Sequence, residues 1–391
     1  MSWEYKTLDQ LGEVSRGRSR HRPRNDPSLF GGKYPFIQTA DVKVANFYIT
    51  EYDTTYNEKG LAQSKLWKPG TLCITIAANI ADSGILAIDA CFPDSVMGFT
   101  PYDGISDVRF IKYCFDILQQ DCKKISQGTA QDNLSWEKLS TIRFPAPPIE
   151  TQQKIADILS AYDNLIENNQ KQIKLLEEAA QRLYKEWFVV DDIPKGWEQR
   201  SLGDVASVLR RGISPKYDDS GKYLVISQKC IRQSIMDISE ARRESKEYEP
   251  KLNLQDKDTV ICSTGTGTLG RVGQVFGAYP DTTFDSHVTL VRTEQYPNFF
   301  YQAIKHQQDF LMGMGRGSTN QQELYRGVIE GLQLLIPTQK ILNRAENMLS
   351  AIHDKITTLN SQIGLLVEAR DRLLPKLMSG EFGGVKNVSL F

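Results

Sequence analysis

Five arginines fall on alternate positions between Arg16 and Arg24: Arg16, Arg18, Arg20, Arg22 and Arg24. A guanidinium can bridge two phosphate oxygens or the O6 and N7 of a guanine, and the alternating spacing in a flexible loop lets several reach one groove. The plainer alternative is a solvated basic loop whose arginines add only solubility. Arg210, Arg211, Ser214 and Lys216 lie at a similar distance after Trp197 as the first run does after Trp3, and take the same reading. Gln38 and Thr39, and Ser227, Gln228 and Lys229, follow two related Gly-Lys-Tyr segments. Gln suits the adenine N6/N7 edge and Lys suits guanine, although the exposed end of a strand would carry such residues as well. Asn79 and the loop from Thr264 through Thr266 to Arg271 are further candidates, whereas Gly128 and Gly317 fit turns better than contacts.

Other chemistries find little support. Gly265, Gly267 and Gly270 satisfy G-x-G-x-x-G, with Asp285 about 20 residues on, but Arg271 to Val275 with Gly277 and Pro280 beyond cannot be the helix a dinucleotide site requires. His21, His287, His306 and His353 lack metal-ligand spacing, and His353 is expected on a helix surface. The six cysteines (Cys73, Cys91, Cys114, Cys122, Cys230, Cys262) are scattered, so no zinc site or disulfide framework is expected. No methyltransferase Asn/Asp-Pro-Pro-Tyr or nuclease motif occurs, and the expected catalytic and metal residues are none. A net charge of −1 argues against a generic polyanion binder. The N-terminus has no charged-then-apolar leader, and no stretch approaches the about 20 apolar residues of a membrane helix, which predicts a cytoplasmic protein.

The elements that would carry these residues come twice. At a shift of 190 residues, twelve of the twenty-five positions from Leu159 to Leu183 meet an identical residue, ending at Leu373. The repeat continues more faintly through Trp3-Glu4 and Trp197-Glu198, Gly32-Lys33-Tyr34 and Gly221-Lys222-Tyr223, and Pro148 and Pro337. Each half opens with a mixed region of short β-branched or aromatic runs broken by Gly and Pro, and closes on a heptad seam. The first seam is Ile155, Leu159, Tyr162, Ile166, Asn169, Ile173, Leu176, Ala180, Leu183 and Trp187. The second is Ala345, Leu349, Ile352, Ile356, Leu359, Ile363, Leu366, Arg370, Leu373 and Leu377. Either stripe alone would suit a helix packed on its own domain, but two of equal length predict an intramolecular pair. Asn169 is the polar interruption expected to fix its register, with Leu359 opposite it in the repeat alignment. An antiparallel pair would hold two α+β modules at opposite ends of a rod of roughly 50 Å.

In this order and repeated, the motifs are specific: Pro147-Pro148-Ile149-Glu150 with Gln153, Arg182-Leu183-Tyr184 with Trp187-Phe188, Pro194-Lys195-Gly196-Trp197-Glu198, Gly128-Thr129 and Gly317-Ser318 before the helices, and Leu377 with Ser379-Gly380-Glu381. The chain resembles the specificity subunit of type I restriction-modification systems over essentially its whole length. The resemblance implies an α+β fold of two target-recognition domains, at 1–147 and 191–337, separated by conserved helices at 148–190 and 338–383 paired as an antiparallel coiled coil with pseudo-twofold symmetry, and a tail at 384–391. It implies that each domain reads one half of a bipartite DNA site, and that the helices set the spacer and dock two adenine-N6 methyltransferase subunits. Restriction/translocase subunits would join for cleavage. S-adenosylmethionine, ATP and Mg would sit on those partners, with no cofactor on this chain. The distal helix opens Pro337-Thr338-Gln339-Lys340, unlike the first, and carries Arg370 in its seam, so equivalence of the two docking surfaces is left open.

Overall fold

A computed structural model describes residues 3–76, 82–125, 136–232, 235–265, 267–315 and 322–380. The chain divides into two compact units, Met1–Asn168 with Ile363–Phe391, and Asn169–Gln362. Each takes one mixed region and half of each long helix.

In the first unit, Glu4–Lys6 pairs antiparallel with Phe144–Ala146, the last strand before the central helix. Thr7 and Gln10 then form a capping box, which turns the chain through the short helix Leu8–Leu11 into Gly12–Arg16. That strand edges a five-stranded sheet in the order Gly12–Arg16, Val96–Pro101, Leu72–Thr75, Ser83–Leu86, Tyr48–Ile49. A second sheet runs Thr54–Tyr56, Phe30–Phe36, Ala90–Cys91, Leu66–Trp67, with Phe36 parallel to Cys91. Helix Val108–Ile125 covers the core through Phe110, Ile111 and Phe115, all fully buried.

The second unit repeats this plan. Glu198–Ser201 pairs with Gln333–Ile336, again closing the module before a long helix. Ser201 and Asp204 supply the capping box. One sheet runs Val208–Arg211, Val288–Arg292, Thr259–Cys262, Val272–Gln274; the other runs Arg242–Glu244, Tyr223–Ile226, Thr282–Phe284, with the last two strands parallel. The two units therefore share the order of their main sheet strands, the first adding Tyr48–Ile49 and Leu66–Trp67 and the second a hairpin of Ile231–Arg232 with Ile235–Met236. Side chains on a strand's outer face are free to change while inward alternation preserves the sheet, which is how topology outlasts sequence identity.

The central helix spans Ile149–Phe188 and the distal helix Gln339–Met378, both of 40 residues and offset by the shift of 190 found in the sequence. They pair antiparallel within each unit. In the first, Ile155, Ala156 and Leu159 share a core with Leu374, Leu377 and Met378. In the second, Ala180, Tyr184 and Phe188 share one with Leu342, Ala345 and Leu349. Of the seam positions, Ile155, Leu159, Ile166, Asn169, Ile173, Ala180, Ala345, Leu349, Ile356, Leu359 and Leu377 are buried. Tyr162, Leu176, Leu183, Trp187, Ile352, Ile363, Leu366, Arg370 and Leu373 are half-buried. The buried stripe is wider than an a/d seam because each helix half also packs on its own module, which brings in Ala156, Asp163 and Tyr184. Asn169 Nδ2 donates to Gln362 Oε1 at 3.3 Å, so its polar partner is one turn from the aligned Leu359.

One expectation changes here and another holds. His353 is not on the helix surface but 2% exposed, stacked on Phe276 with its Nδ1 3.2 Å from Gln274 Oε1 and its Nε2 2.8 Å from Asp256 Oδ1. The segment after the glycine pattern is the strand Val272–Gln274, as the rejection of a dinucleotide fold requires. Cys73, Cys91, Cys114, Cys230 and Cys262 are free and buried.

Candidate nucleic-acid interface

The two units present their arginines on one backbone frame. Where the strand Gly12–Arg16 ends, Gly17 N–H donates to Val96 O at 2.8 Å and Arg18 N–H to Phe92 O at 3.0 Å. Where Val208–Arg211 ends, Gly212 N–H donates to Val288 O at 3.1 Å and Ile213 N–H to Phe284 O at 3.0 Å. Arg16 and Arg211 are thus equivalent, each followed by a glycine against the neighbouring backbone. A Cβ on Gly17 would lie 2.3 Å from Pro93 O, and one on Gly212 2.1 Å from Phe284 O, so only glycine permits the approach. The Arg-Gly pairs at Arg16-Gly17 and Arg211-Gly212 are the sequence signal of this equivalence.

The arginine run is fastened rather than flexible. Gln63 Oε1 accepts from the backbone N–H groups of Arg20 (2.6 Å) and His21 (3.0 Å), and Ser64 Oγ donates to Arg18 O at 2.7 Å. His21 Nε2 meets Asp26 Oδ2 at 2.7 Å, and hydrogen bonds from Ser28 and then His21 hold the Asp26 carboxyl down at about 2. Arg22 Nη1 donates to Ser19 O and His21 O, while Arg24 Nη2 donates to Asp94 Oδ2 at 2.8 Å. Arg16, Arg20, Arg22 and Arg24 are exposed and Arg18 is half-buried. A loop held in this way presents its guanidinium groups with less ordering left for binding to supply.

Gln38 and Thr39 make their contacts elsewhere. Gln38 precedes the helix Thr39–Val44, its N–H donating to Asp41 Oδ2 at 2.6 Å and its Nε2 to Thr54 Oγ1 at 3.4 Å. Asn79, Gly128, Thr129, Thr266, Gly317, Ser318 and Glu381 lie outside the described residues.

The second unit gathers more of its candidates. Arg210 Nη1 donates to Glu249 Oε2 at 3.0 Å; Arg211 pairs with Glu323 and donates through Nη2 to Leu324 O at 2.9 Å. Glu323 forms a β-bridge with Thr264, whose Oγ1 is 2.5 Å from His287 Nδ1. Gln228 lies against Gly265, where a Cβ would be 3.7 Å from its Cγ and Nε2, and its buried Oε1 has no partner among the described residues. Ser227 Oγ caps the turn at Lys229 N, 3.3 Å away, and leaves the Lys229 side chain exposed. Ser214 and Lys216 are exposed, with Lys216 N–H anchored by the buried Glu244 carboxylate. Arg271 is half-buried. His287 is exposed in the middle of this cluster and was not among the sequence candidates; no local spacing marks it.

Among the described residues no group of His, Cys, Asp and Glu could hold a metal ion, and no helix is long and apolar enough to cross a membrane. A duplicated frame whose polar loops display arginine, glutamine and lysine offers the charge and hydrogen-bond partners that DNA backbones and base edges take. The chain matches the family described as Type I restriction modification DNA specificity domain over residues 1–178 and 194–368, and it belongs to that family. It is 26% identical to the type I restriction enzyme MjaIX specificity subunit of Methanocaldococcus jannaschii, covering 97% of this chain and 93% of that one. It is 22% identical to the HindI specificity subunit of Haemophilus influenzae, covering 95% and 98%. Its fold is similar to the crystal structure of the type I restriction-modification S subunit from M. genitalium, with a TM-score of 0.55, 16% identity and 96% of each chain covered. The protein is a non-catalytic, DNA-binding specificity subunit that works with the other subunits of a type I restriction-modification complex.

Proposed function

We propose that the recognition domains at 1–147 and 191–337 each read one half of a bipartite DNA site, and that the paired helices at 148–190 and 338–383 set the spacer between the halves. The observation that carries this reading is the duplicated order of the main sheet strands, with Arg16 and Arg211 in equivalent places and different loop residues around them. A common frame with divergent loops suits two different words read in the same manner. Contacts from the arginines, to phosphates and to guanine edges, would position each domain, and Gln38, Gln228, Lys229 and the Thr264–Arg271 loop would supply further base contacts.

The helices also dock two adenine-N6 methyltransferase subunits, with restriction/translocase subunits joining for cleavage in the cytoplasm; S-adenosylmethionine, ATP and Mg are carried by those partners. Repeated identities on outward faces support two docking sites. Leu175 and Leu365 are equivalent and 64% and 67% exposed, and Glu178 with Glu368 and Arg182 with Arg372 are likewise equivalent and exposed. Packing of the helix pair does not require identity there, whereas two copies of one partner would. The sites are not wholly alike. Arg182 and Lys185 border a cavity of about 230 Å³ with Lys305 and His306, while Pro375 replaces Lys185 on the distal helix.

Mapping methylated adenines in cells that carry this chain with its modification subunit tests the reading. Two short specified sequences at a fixed separation are expected, and exchanging residues 3–147 for another recognition domain should change one of them alone. A continuous motif, or a change in both halves, would refute it.

A further inference from the structure

Four of the arginines that the interface displays, Arg22, Arg24, Arg210 and Arg211, already face carboxylates. Asp94 Oδ2 lies 2.8 Å from Arg24 Nη2 and 3.9 Å from Arg22 Nη2. In the other unit Glu249 holds Arg210 at 3.0 Å and Lys251 at 2.8 Å, and Glu323 holds Arg211. These carboxylates come from segments 70, 39 and 112 residues away from the arginines they meet, so they are placed by the fold and not by local sequence. Both units have the arrangement, although the residues that provide it differ. Among the described residues of the same run, Arg16, Arg18 and Arg20 have no carboxylate within 4 Å.

A carboxylate presents to guanidinium the same pair of oxygens that a phosphate does. An arginine that exchanges one for the other gains little, and the displaced carboxylate is left to repel the DNA backbone. The exchange becomes favourable where the cognate sequence adds a contact that other DNA lacks, such as a guanine O6/N7 edge within the arginine's reach. Unpaired arginines can bind any duplex; paired ones bind where the sequence repays the lost ion pair.

We propose that Asp94, Glu249 and Glu323 are specificity-determining residues that hold the interface arginines away from non-cognate phosphates and release them at the cognate site. The proposal rests on the reading of these arginines as DNA contacts, and the test separates the two. The full chain, assembled with its modification subunits, is titrated with a duplex carrying its methylated motif and with a scrambled duplex, at several salt concentrations. D94N and E249Q should each tighten binding to the scrambled duplex by about two- to five-fold, the range set by an exposed ion pair. Each should also steepen the salt dependence, by about 0.9 in logarithmic slope per arginine freed. Cognate binding should tighten less, so the ratio between the two duplexes falls. R24A/D94N should lose most of the D94N gain, because the gain passes through Arg24. If R24A and R210A leave both duplexes unaffected, the arginines do not touch DNA and both readings fail. If they weaken binding but D94N and E249Q leave scrambled-duplex affinity and salt slope unchanged, the carboxylates have no such role and this inference alone is overturned.

Discussion

Asp163 is 7% exposed and accepts two hydrogen bonds at 2.5 Å, from Tyr113 Oη and Arg370 Nη1. Burial and the adjacent carboxylate push the Tyr113 hydroxyl far above its usual range, so it remains a donor. This explains the seam position of Arg370, which periodicity marks as an anomaly. R370M leaves a buried anion with one neutral donor and should lower unfolding stability by about 3 kcal/mol, whereas R370M/D163N, with no stranded charge, should lose less. Urea midpoints of the two variants decide it, and equal losses would remove the charge argument. Glu177 makes an opposite case. Burial raises its carboxyl to about 7 from 4.5, with Lys305 pulling down and Glu178 pushing up. Between those values the folded chain binds more protons than the unfolded one, so this group's contribution to stability is full below 4.5 and is lost as pH rises through 7. His353 is held below 6.5, mainly by burial, so its contribution is full above 6.5 and is lost as pH falls through the depressed folded value. Of these two groups, Glu177 alone carries a cost at pH 8. E177Q should therefore raise Tm at pH 8 and change it little at pH 5; an equal gain at both would mean that titration is not responsible.

At the scale of elements, the two long helices were the most legible feature, because a 3.5-residue period over 40 residues has few other solutions. Their antiparallel register was not. It depends on pairs such as Asn169 with Gln362 and Asp163 with Arg370, each close to 200 residues apart. The same limit hid His353, whose burial depends on Asp256 and Gln274 nearly 100 and 79 residues away. It hid the pinning of the arginine loop by Gln63 and Ser64 as well. The register permits a matched deletion. Residues 166–172 face 360–366, and removing both segments takes one heptad from each helix without shifting the rest of the pairing. That shortens the pair by about 10 Å, or about 3 base pairs of B-DNA. If the helices set the spacer, the mapped motif should keep both halves and lose about 3 base pairs between them; an unchanged gap would mean that something else measures it.

For the molecule as a whole, duplication separates what must stay alike from what is free to differ, and the two are distributed by exposure in a way simple domain packing does not require. Recognition loops, which need only a frame, kept the strand order and lost most sequence identity. Outward helix positions, which the fold leaves unconstrained, kept Leu175 with Leu365 and Arg182 with Arg372. Buried identity such as Ile166 with Ile356 is explained by the helix pair itself, so the exposed leucines are the discriminating positions. An isolated leucine at such exposure loses little stability on becoming polar, which makes it a clean probe of assembly. L175D and L365D should each leave the melting transition nearly unchanged and reduce the assembled complex from two modification subunits to one, with the double variant binding none. Native mass spectrometry of the purified complexes counts the subunits directly. If the basic cavity beside Arg182 also contributes, salt should dissociate the subunit retained by L365D before the one retained by L175D, because charge pairs are screened where apolar contacts are not. Full occupancy in all three variants would place docking on another surface and leave the exposed leucines without a role.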